Sequence, residues 1–363
     1  MPLKLTKQQK IKQWVLIGVG LAFFCILPFL LGKAYYIHVA IMCLFWAYMS
    51  TAWNILCGFS GLLSLGHGIY VAAGAYVATI LVNTFGITPL VGLFVACFVA
   101  SVMGLVIGFP VFNLRGAYYA LSSVAIGEGV VVLLTNFRTW KISEELTIII
   151  GGAEGLTMKT INSPLFLQWR TKEPYYFIIL VMLIGALLLS KYIKNNKLGF
   201  QLQAVKDDED AARALGINVR KVKLIACVIS ASLTALGGVF YALIVRFLEP
   251  AAVASGATMS NQIVFGAIVG GSGTVFGPAV GGLILNLVSS VIQYFLGGSI
   301  QGLHLFIYGI IIVVMILFKP TGIISVFEKL YYKYLGIQIK EELDDEDDGG
   351  PDPGPEAQAE GGQ

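Results

Sequence analysis

Ala204-Val-Lys-Asp-Asp-Glu-Asp-Ala-Ala-Arg-Ala-Leu-Gly216 is a charged, helix-prone stretch on an otherwise apolar chain, with hydrophobic runs at 174–190 and 223–245 on either side. A membrane span needs about 20 mostly apolar residues, because each helical residue rises about 1.5 Å across a hydrocarbon core about 30 Å thick. The flanking runs are of that order, so the charged stretch reads as a cytoplasmic helix that an integral membrane protein presents to something soluble. Composition agrees. The chain is 57% hydrophobic and 12% charged, with a mean hydropathy of +0.80, against about 45–50% and about 25% in a soluble domain.

Working outward, apolar runs are expected to span near 14–32, 35–57, 65–83, 89–112, 117–136, 174–190, 223–245, 257–271, 275–297 and 301–318. The chain therefore reads as an all-α, polytopic transmembrane helical bundle of 9 to 10 spans with broken or re-entrant Gly-rich helices. The run at 257–271 is short and ends in Gly270-Gly-Ser-Gly273, so it reads as a full crossing, a re-entrant piece or a broken helix.

Lys and Arg collect on cytoplasmic flanks. Lys4, Lys7, Lys10 and Lys12 place the N-terminus inside, and counting crossings brings Arg115, Lys191, Lys194, Lys197, Lys206, Arg213, Arg220, Lys221 and Lys223 to the same side, with Lys319, Lys329, Lys333 and Lys340. The long segment 137–173 falls outside, its bases offset by Glu144, Glu145, Glu154 and Glu173. Both termini are expected in the cytoplasm, with the chain multi-pass in a plasma membrane.

Net charge is +3, yet ten of the 21 acidic residues lie from Glu341 onward with no basic residue among them, leaving 24 bases against 11 acids, or +13, before that point. A basic body suits an anionic inner leaflet. Residues 1–340 read as one transmembrane domain, with a cytoplasmic coupling helix at about 204–220. Residues 341–363, acidic and rich in Pro and Gly, read as a disordered, solvated tail.

The run from Trp14 to Leu31 exceeds the usual signal core of about 7–15 residues and no small-x-small site precedes Lys33, so it is expected to stay as a span. The five cysteines lack paired spacing and indicate neither a disulfide frame nor a metal site. No phosphate-binding loop of the Gly-x-x-x-x-Gly-Lys-Ser/Thr type occurs, so ATP hydrolysis is not expected on this chain. Three histidines without a metal-like pair argue against a zinc enzyme. Gly66-His-Gly68 has no Ser between its glycines and is no nucleophile elbow.

Glycines recur four apart at Gly104 and Gly108 and at Gly273, Gly277 and Gly281, a spacing that lets membrane helices approach closely. Two clusters go further: Gly58-Phe-Ser-Gly-Leu-Leu-Ser-Leu-Gly-His-Gly68 and Gly270-Gly-Ser-Gly-Thr-Val-Phe-Gly-Pro278. Helix breakers at membrane depth are tolerated where backbone is buried in protein or lines a watery cavity, and breaks in both halves of a chain point to a transport pathway. The alternative for each cluster is a tight turn. Candidate pathway residues are Ser64, His67, Glu128, Gly271 and Gly273. Glu128 lies mid-span, where an unpaired carboxylate costs about 2.5–3.5 kcal/mol on insertion scales; it lines an aqueous path, pairs with another helix or sits protonated in packing. His67 reads either as a pathway residue or as a hydrogen-bonded structural histidine, and Asn54, Asn286 and Gln293 as interhelical hydrogen-bonders.

Asp207, Asp208, Glu209 and Asp210 are expected in the first turn of a helix of some two turns, where carboxylates suit the N-terminal dipole, with Gly216 ending it. Its Ala211, Ala212, Ala214 and Leu215 face fits a partner's groove or, alternatively, the protein's own underside.

Asp210-Ala-Ala followed after three residues by Gly216 resembles the Glu-Ala-Ala…Gly cytoplasmic loop of ABC importer permeases, with Asp where Glu is usual. Ser64-Leu-Gly-His-Gly68, Arg115-Gly-Ala-Tyr-Tyr-Ala-Leu121 with Gly127-Glu128, Gly151-Gly-Ala-Glu-Gly-Leu156, 204–222 and 269–278 resemble, in order, permeases of the branched-chain amino acid importer family, of the subunit type with a long extracytoplasmic loop. The resemblance implies a second homologous permease, two cytoplasmic ATPase subunits that bind ATP, and an extracytoplasmic substrate-binding protein, with no cofactor on this chain. It implies ATPase coupling through Asp210, Ala211, Ala212, Arg213 and Gly216, and binding-protein docking near Gly152, Glu154 and Gly155. The chain departs from the family at Val131 and Val132, where an Arg is common, and in its acidic tail. Branched-chain amino acids are the family's commonest substrate; urea, amides and aromatic acids are alternatives. An ion-coupled secondary transporter is a different class of reading, which leaves the 204–216 helix without a purpose, and a membrane scaffold leaves the glycine breaks without one.

Overall fold

The structure, a computed structural model, describes residues 7–114, 116–141, 147–161, 163–296, 303–318, 322–325 and 327. A compact body, Val19–Ser325, is distinct from a terminal unit formed by Met1–Gly18 and Val326–Gln363. In the terminal unit residues 7–18 are helical. Arg115, Glu144, Glu145 and the acidic stretch 341–363 lie outside the described residues.

The helices, in order, are α1 (Lys7–Leu31), α2 (Ala34–Ser60), α3 (Gly68–Phe85), α4 (Pro89–Val111), α5 (Ala117–Asn136), α6 (Glu173–Lys194), α7 (Lys197–Asp207), α8 (Glu209–Ala214), α9 (Val219–Val245), α10 (Pro250–Ala254), α11 (Asn261–Gly270), α12 (Gly277–Leu296) and α13 (Leu303–Phe318). Among the described residues eight stretches are long and apolar enough to cross a membrane: α2, α3, α4, α5, α6, α9, Pro250–Gly270 and Gly277–Phe295. The apolar part of α1, Gly18–Leu31, and the 16 residues of α13 are shorter. The polytopic bundle expected from sequence is thus present.

α2 is the hub. It is buried without a gap from Cys43 to Ser60 and packs on α6, α9, α11 and α12, while α9 also packs on α3 and α4. A helix apolar all round belongs inside a large core. Close approach needs small residues: a Cβ on Gly237 would meet Tyr48 of α2, and one on Gly238 the backbone of Val71 in α3.

Two helices begin or break inside the bundle. After α2 ends at Gly61, which adopts φ 73° as a left-handed cap, residues 61–66 run without helical structure before α3 starts at Gly68. The second break corrects the sequence reading. The span expected at 257–271 begins instead at Pro250, whose fixed φ suits a helix start, and it is interrupted at Ser255 and a π turn over Gly256–Ser260. Gly271–Phe276 is the turn into α12.

The segment between α5 and α6 carries β1 (Thr139–Lys141) paired antiparallel with β2 (Thr147–Ile149), and β3 (Leu156–Thr157) paired with β4 (Phe247–Leu248), which follows α9. The membrane face bearing this segment is called the loop side, and the opposite face, where α6 ends and α9 begins, the coupling side.

Candidate functional site

On the coupling side the charged stretch forms two helices rather than one. Asp207 closes α7 and Asp208, in an extended conformation (φ −156°, ψ 118°), opens α8, accepting from the backbone N–H of Asp210 at 2.7 Å and of Ala211 at 3.0 Å. An Asp cap breaks the longer helix because its side chain satisfies donors that the preceding turn would otherwise have to hold. At the other end Gly216 (φ 83°) and Ile217 donate to the carbonyls of Arg213 and Ala212, a Schellman closure with Ile217 packed on the small cluster that holds Ala212.

Ala212 is 1% exposed, in a small cluster with Val205 and Val219. Of the expected docking face it therefore points into the protein's own underside, whereas Ala211, Ala214 and above all Leu215 (80% exposed) point out. Sequence reasoning also missed the anchor of α8. Lys223 of α9, fully buried, forms an ion pair with Glu209, which Arg213 contacts as well at 3.5 Å. Arg213 meets Asp210 at 3.1 Å.

Next to this helix pair the two glycine clusters meet. Lys206 of α7 donates to the Gly58 carbonyl at 3.3 Å, capping the end of α2, and Lys194 of α6 donates to the Gly273 carbonyl at 3.1 Å. Fully buried Asn54 grips the same turn with both ends of its amide, accepting from Gly273 N–H and donating to the Thr274 carbonyl, each at 2.8 Å. Gly271 and Gly273 thus sit in a clamped turn beside the coupling helices, both at positive φ (113° and 83°).

The other end of the first cluster reaches the bundle interior. Trp53 Nε1 donates to the Ser64 carbonyl at 2.8 Å, Leu65 N–H to Ser123 Oγ at 2.9 Å and Gly68 N–H to Ser260 Oγ at 2.7 Å. Gly66 is required here, since a Cβ would stand 2.5 Å from the Ser123 carbonyl oxygen. Glu128 completes the junction: its Oε1 accepts from the Ser255 hydroxyl at 2.7 Å and the Gly256 N–H at 3.2 Å. The carboxylate of α5 therefore satisfies the backbone that the break in the Pro250–Gly270 span sets free.

His67 is fully buried and bonded through both ring nitrogens, to Ser64 Oγ and Ser230 Oγ, each at 3.0 Å. Because the Ser230 hydroxyl donates to the Ala52 carbonyl at 2.8 Å, Nε2 carries the proton and Nδ1 accepts from Ser64. Both ring nitrogens are thus engaged inside the bundle, as a hydrogen-bonded histidine requires. The neighbouring cavity, touching Ser64, Gly66, Tyr119 and Ser123, measures about 20 Å³, room for about one water.

Glu128 itself is exposed on the single chain, in the stripe Tyr118, Leu121, Ala125, Glu128 and Val132. The 3–4 spacing puts all five on one face of α5. A charged side chain against hydrocarbon at mid-span costs about 2.5–3.5 kcal/mol on insertion scales, so protein or water suits this face better than lipid.

On the loop side Gly151, Gly152 and Gly155 adopt φ 96°, 57° and 76° around a single 3₁₀ turn. Gly152 is buried against the end of α5, where a Cβ would stand 3.1 Å from the Thr135 carbonyl oxygen. Glu154 is paired with Arg138 of the same chain at 2.9 Å, both side chains about 70% exposed. Glu154, expected near the binding-protein contact, is thus in an ion pair within the chain.

This is the architecture of a multi-spanning permease with a polar, broken-helix junction and a charged helix pair on one face. Residues 35–316 match the family described as branched-chain amino acid transport system / permease component, and the chain belongs to that family. It is 27% identical to the high-affinity branched-chain amino acid transport system permease protein LivM of Escherichia coli (strain K12), over 82% of this chain and 71% of that one. The LivM protein of Salmonella typhimurium is also 27% identical, with 88% and 76% covered. The LivH permease protein of the same E. coli strain is 22% identical over 77% of this chain and 91% of its own. No solved structure matches.

Proposed function

We propose that this permease moves branched-chain amino acids, or related small polar solutes, inward through a pathway bordered by the exposed face of α5, together with a second permease, two cytoplasmic ATPase subunits and an extracytoplasmic binding protein. The observation that carries the reading is Glu128, a carboxylate presented on an apolar stripe at mid-span while bonded to the break at Ser255 and Gly256. Lipid is no partner for that face. A second permease seated across it leaves Glu128 facing the shared path.

The substrate class rests on the names of the related permeases, and the ATPase contact on α8. Its exposed Leu215, Ala211 and Ala214 offer a shallow surface, and its buried ion pair to Lys223 passes any displacement to α9. Lys206 on the preceding helix and the clamped turn at Gly273 connect the same end to Gly58. From there residues 61–67 lead to the junction, so motion at α8 has a continuous route to the break beside Glu128.

The test is ATPase stimulation in a reconstituted complex with the binding protein, across leucine, isoleucine, valine, urea, a simple amide and an aromatic acid. Stimulation is expected with the branched-chain set and uptake only with ATP. Uptake driven by an ion gradient without ATP would overturn the reading. Leu215→Asp is expected to cut ATPase co-purification at least tenfold with unfolding unchanged, whereas Ala212→Glu buries a charge and lowers the yield of folded protein.

A further inference from the structure

A second cavity opens on the loop side, remote from the coupling helices. It measures about 280 Å³, with Leu243 and Ile244 of α9 as an apolar floor and His38, Trp169, Arg170, Lys172, Tyr175 and Arg246 around it. Arg170, Lys172 and Arg246 have no acidic partner among the described residues, and no carboxylate lines the space. Among the described residues Arg246 reaches two neutral oxygens, Tyr175 OH and Thr160 Oγ1, each at 3.4 Å. His38 Nδ1 is buried without a partner.

Arg246 is also held at φ 60° as the left-handed cap of α9. Glycine is the ordinary choice there, and a long side chain in that conformation is uncommon. The backbone strain is retained where it turns a guanidinium toward the cavity, and such outliers gather at ligand clamps.

The depth narrows the ligand. His38 lies one turn, about 6 Å, inside the start of α2, and the cavity sits where α6 begins and α9 ends. That is headgroup level, the usual place of interfacial Trp and Tyr such as Trp169 and Tyr175. A zwitterionic amino acid would leave its ammonium unmatched among three cations. A phosphodiester presents one anion to the cations and glyceryl carbons to the floor.

From this geometry we infer a binding site for the phosphodiester headgroup of an anionic phospholipid from the loop-side leaflet. Each basic residue near a membrane surface contributes about fivefold to anionic lipid binding.

The test uses the full chain in nanodiscs of phosphatidylcholine containing a rising fraction of phosphatidylglycerol, with retained lipid counted by native mass spectrometry. Wild type is expected to retain phosphatidylglycerol over phosphatidylcholine. Arg170→Gln, Lys172→Gln and Arg246→Gly are each expected to lower that preference about fivefold. Arg246→Gly keeps the experiment interpretable, since glycine suits φ 60° and thermal stability should hold or rise. Lys191→Gln, on the opposite face, should change nothing. An unaltered preference in the three variants overturns the site. So does displacement of the lipid by soluble sn-glycerol 3-phosphate at equal potency, which makes the ligand a free ester. If the variants instead weaken only the response to the binding protein, the cluster is a protein contact and the lipid assignment fails.

Discussion

α2 and α5 have nearly the same mean hydropathy, 1.5 and 1.6 over their most apolar windows, yet 83% of that window is buried in α2 and 22% in α5. Apolarity in a membrane chain does not report burial, because lipid tails are as apolar as a core. What separates the two helices is where their polar groups go. Ser50, Thr51 and Asn54 of α2 are fully buried and bonded inside the molecule, Ser50 to the Ile263 carbonyl and Asn54 to the clamped turn. α5 spends one carboxylate oxygen on the break at Ser255 and shows the rest of Glu128 on an open face. The first helix is buried scaffold; the second, on the function proposed above, borders whatever the chain acts with.

The comparison breaks most visibly at glycine. A Cβ on Gly58 of α2 would overlap the Asn54 side chain and stand 2.7 Å from Gly273 N, while one on Gly129 of α5 would meet nothing within 4 Å. Gly58→Leu is predicted to destabilise by about 3 kcal/mol, the upper end of ordinary overpacking, read as lost folded protein in thermal unfolding. Gly129→Leu should unfold like wild type and instead weaken co-purification with the second permease. Equal loss of fold from both would remove the distinction between the helices.

Glu128→Gln is the sharper probe. The amide oxygen still accepts from Ser255 and Gly256, so the break stays satisfied and only the charge goes. Uptake is predicted to fall at least tenfold with unfolding shifted by less than about 1 kcal/mol, as for a hydrogen bond that is weakened but not lost. A lipid-facing carboxylate gives the opposite sign, because removing it recovers about 2.5–3.5 kcal/mol on insertion scales. Clear stabilisation with normal uptake would put α5 against lipid.

Much of this was legible in the sequence. Span lengths follow from apolar runs, and α5 begins and ends where expected, at 117 and 136. Gly216 ends the charged helix as expected because a C-cap is local chemistry, whereas Asp207 and Asp208, expected in its first turn, instead close α7 and cap α8. The start of the seventh long stretch was misplaced because Pro250–Ser260 is built mostly of small, weakly apolar residues, and its break at Ser255 follows from tertiary packing rather than from local pattern. Ser123, Ser255 and Ser260 were invisible for a related reason: a serine in a membrane helix usually bonds its own preceding turn, and nothing local distinguishes one that receives another segment's N–H. The Lys223–Glu209 pair joins residues 14 apart across a helix boundary, and the inward turn of Ala212 depends on how a six-residue helix is set down.

The smallest effect belongs to the end of α5, where Arg138 and Glu154 tie the loop-side turn to the helix with both side chains about 70% exposed. An exposed pair contributes about 0–1 kcal/mol, so Glu154→Lys should barely move thermal unfolding even though it sets two cations side by side. If the α5 face borders the pathway, the turn at its mouth lies where a binding protein delivers substrate, and a reversed rim charge then acts on encounter rate. The predicted outcome is a several-fold change in the binding-protein concentration for half-maximal ATPase stimulation at low salt, fading as ionic strength shortens the Debye length to about 8 Å near 0.15 M. Arg138→Glu together with Glu154→Lys restores the pair with its polarity exchanged. If the contact is the internal pair alone, the double variant recovers wild-type behaviour. If the partner reads Glu154 itself, the defect persists, and the turn belongs to the docking surface.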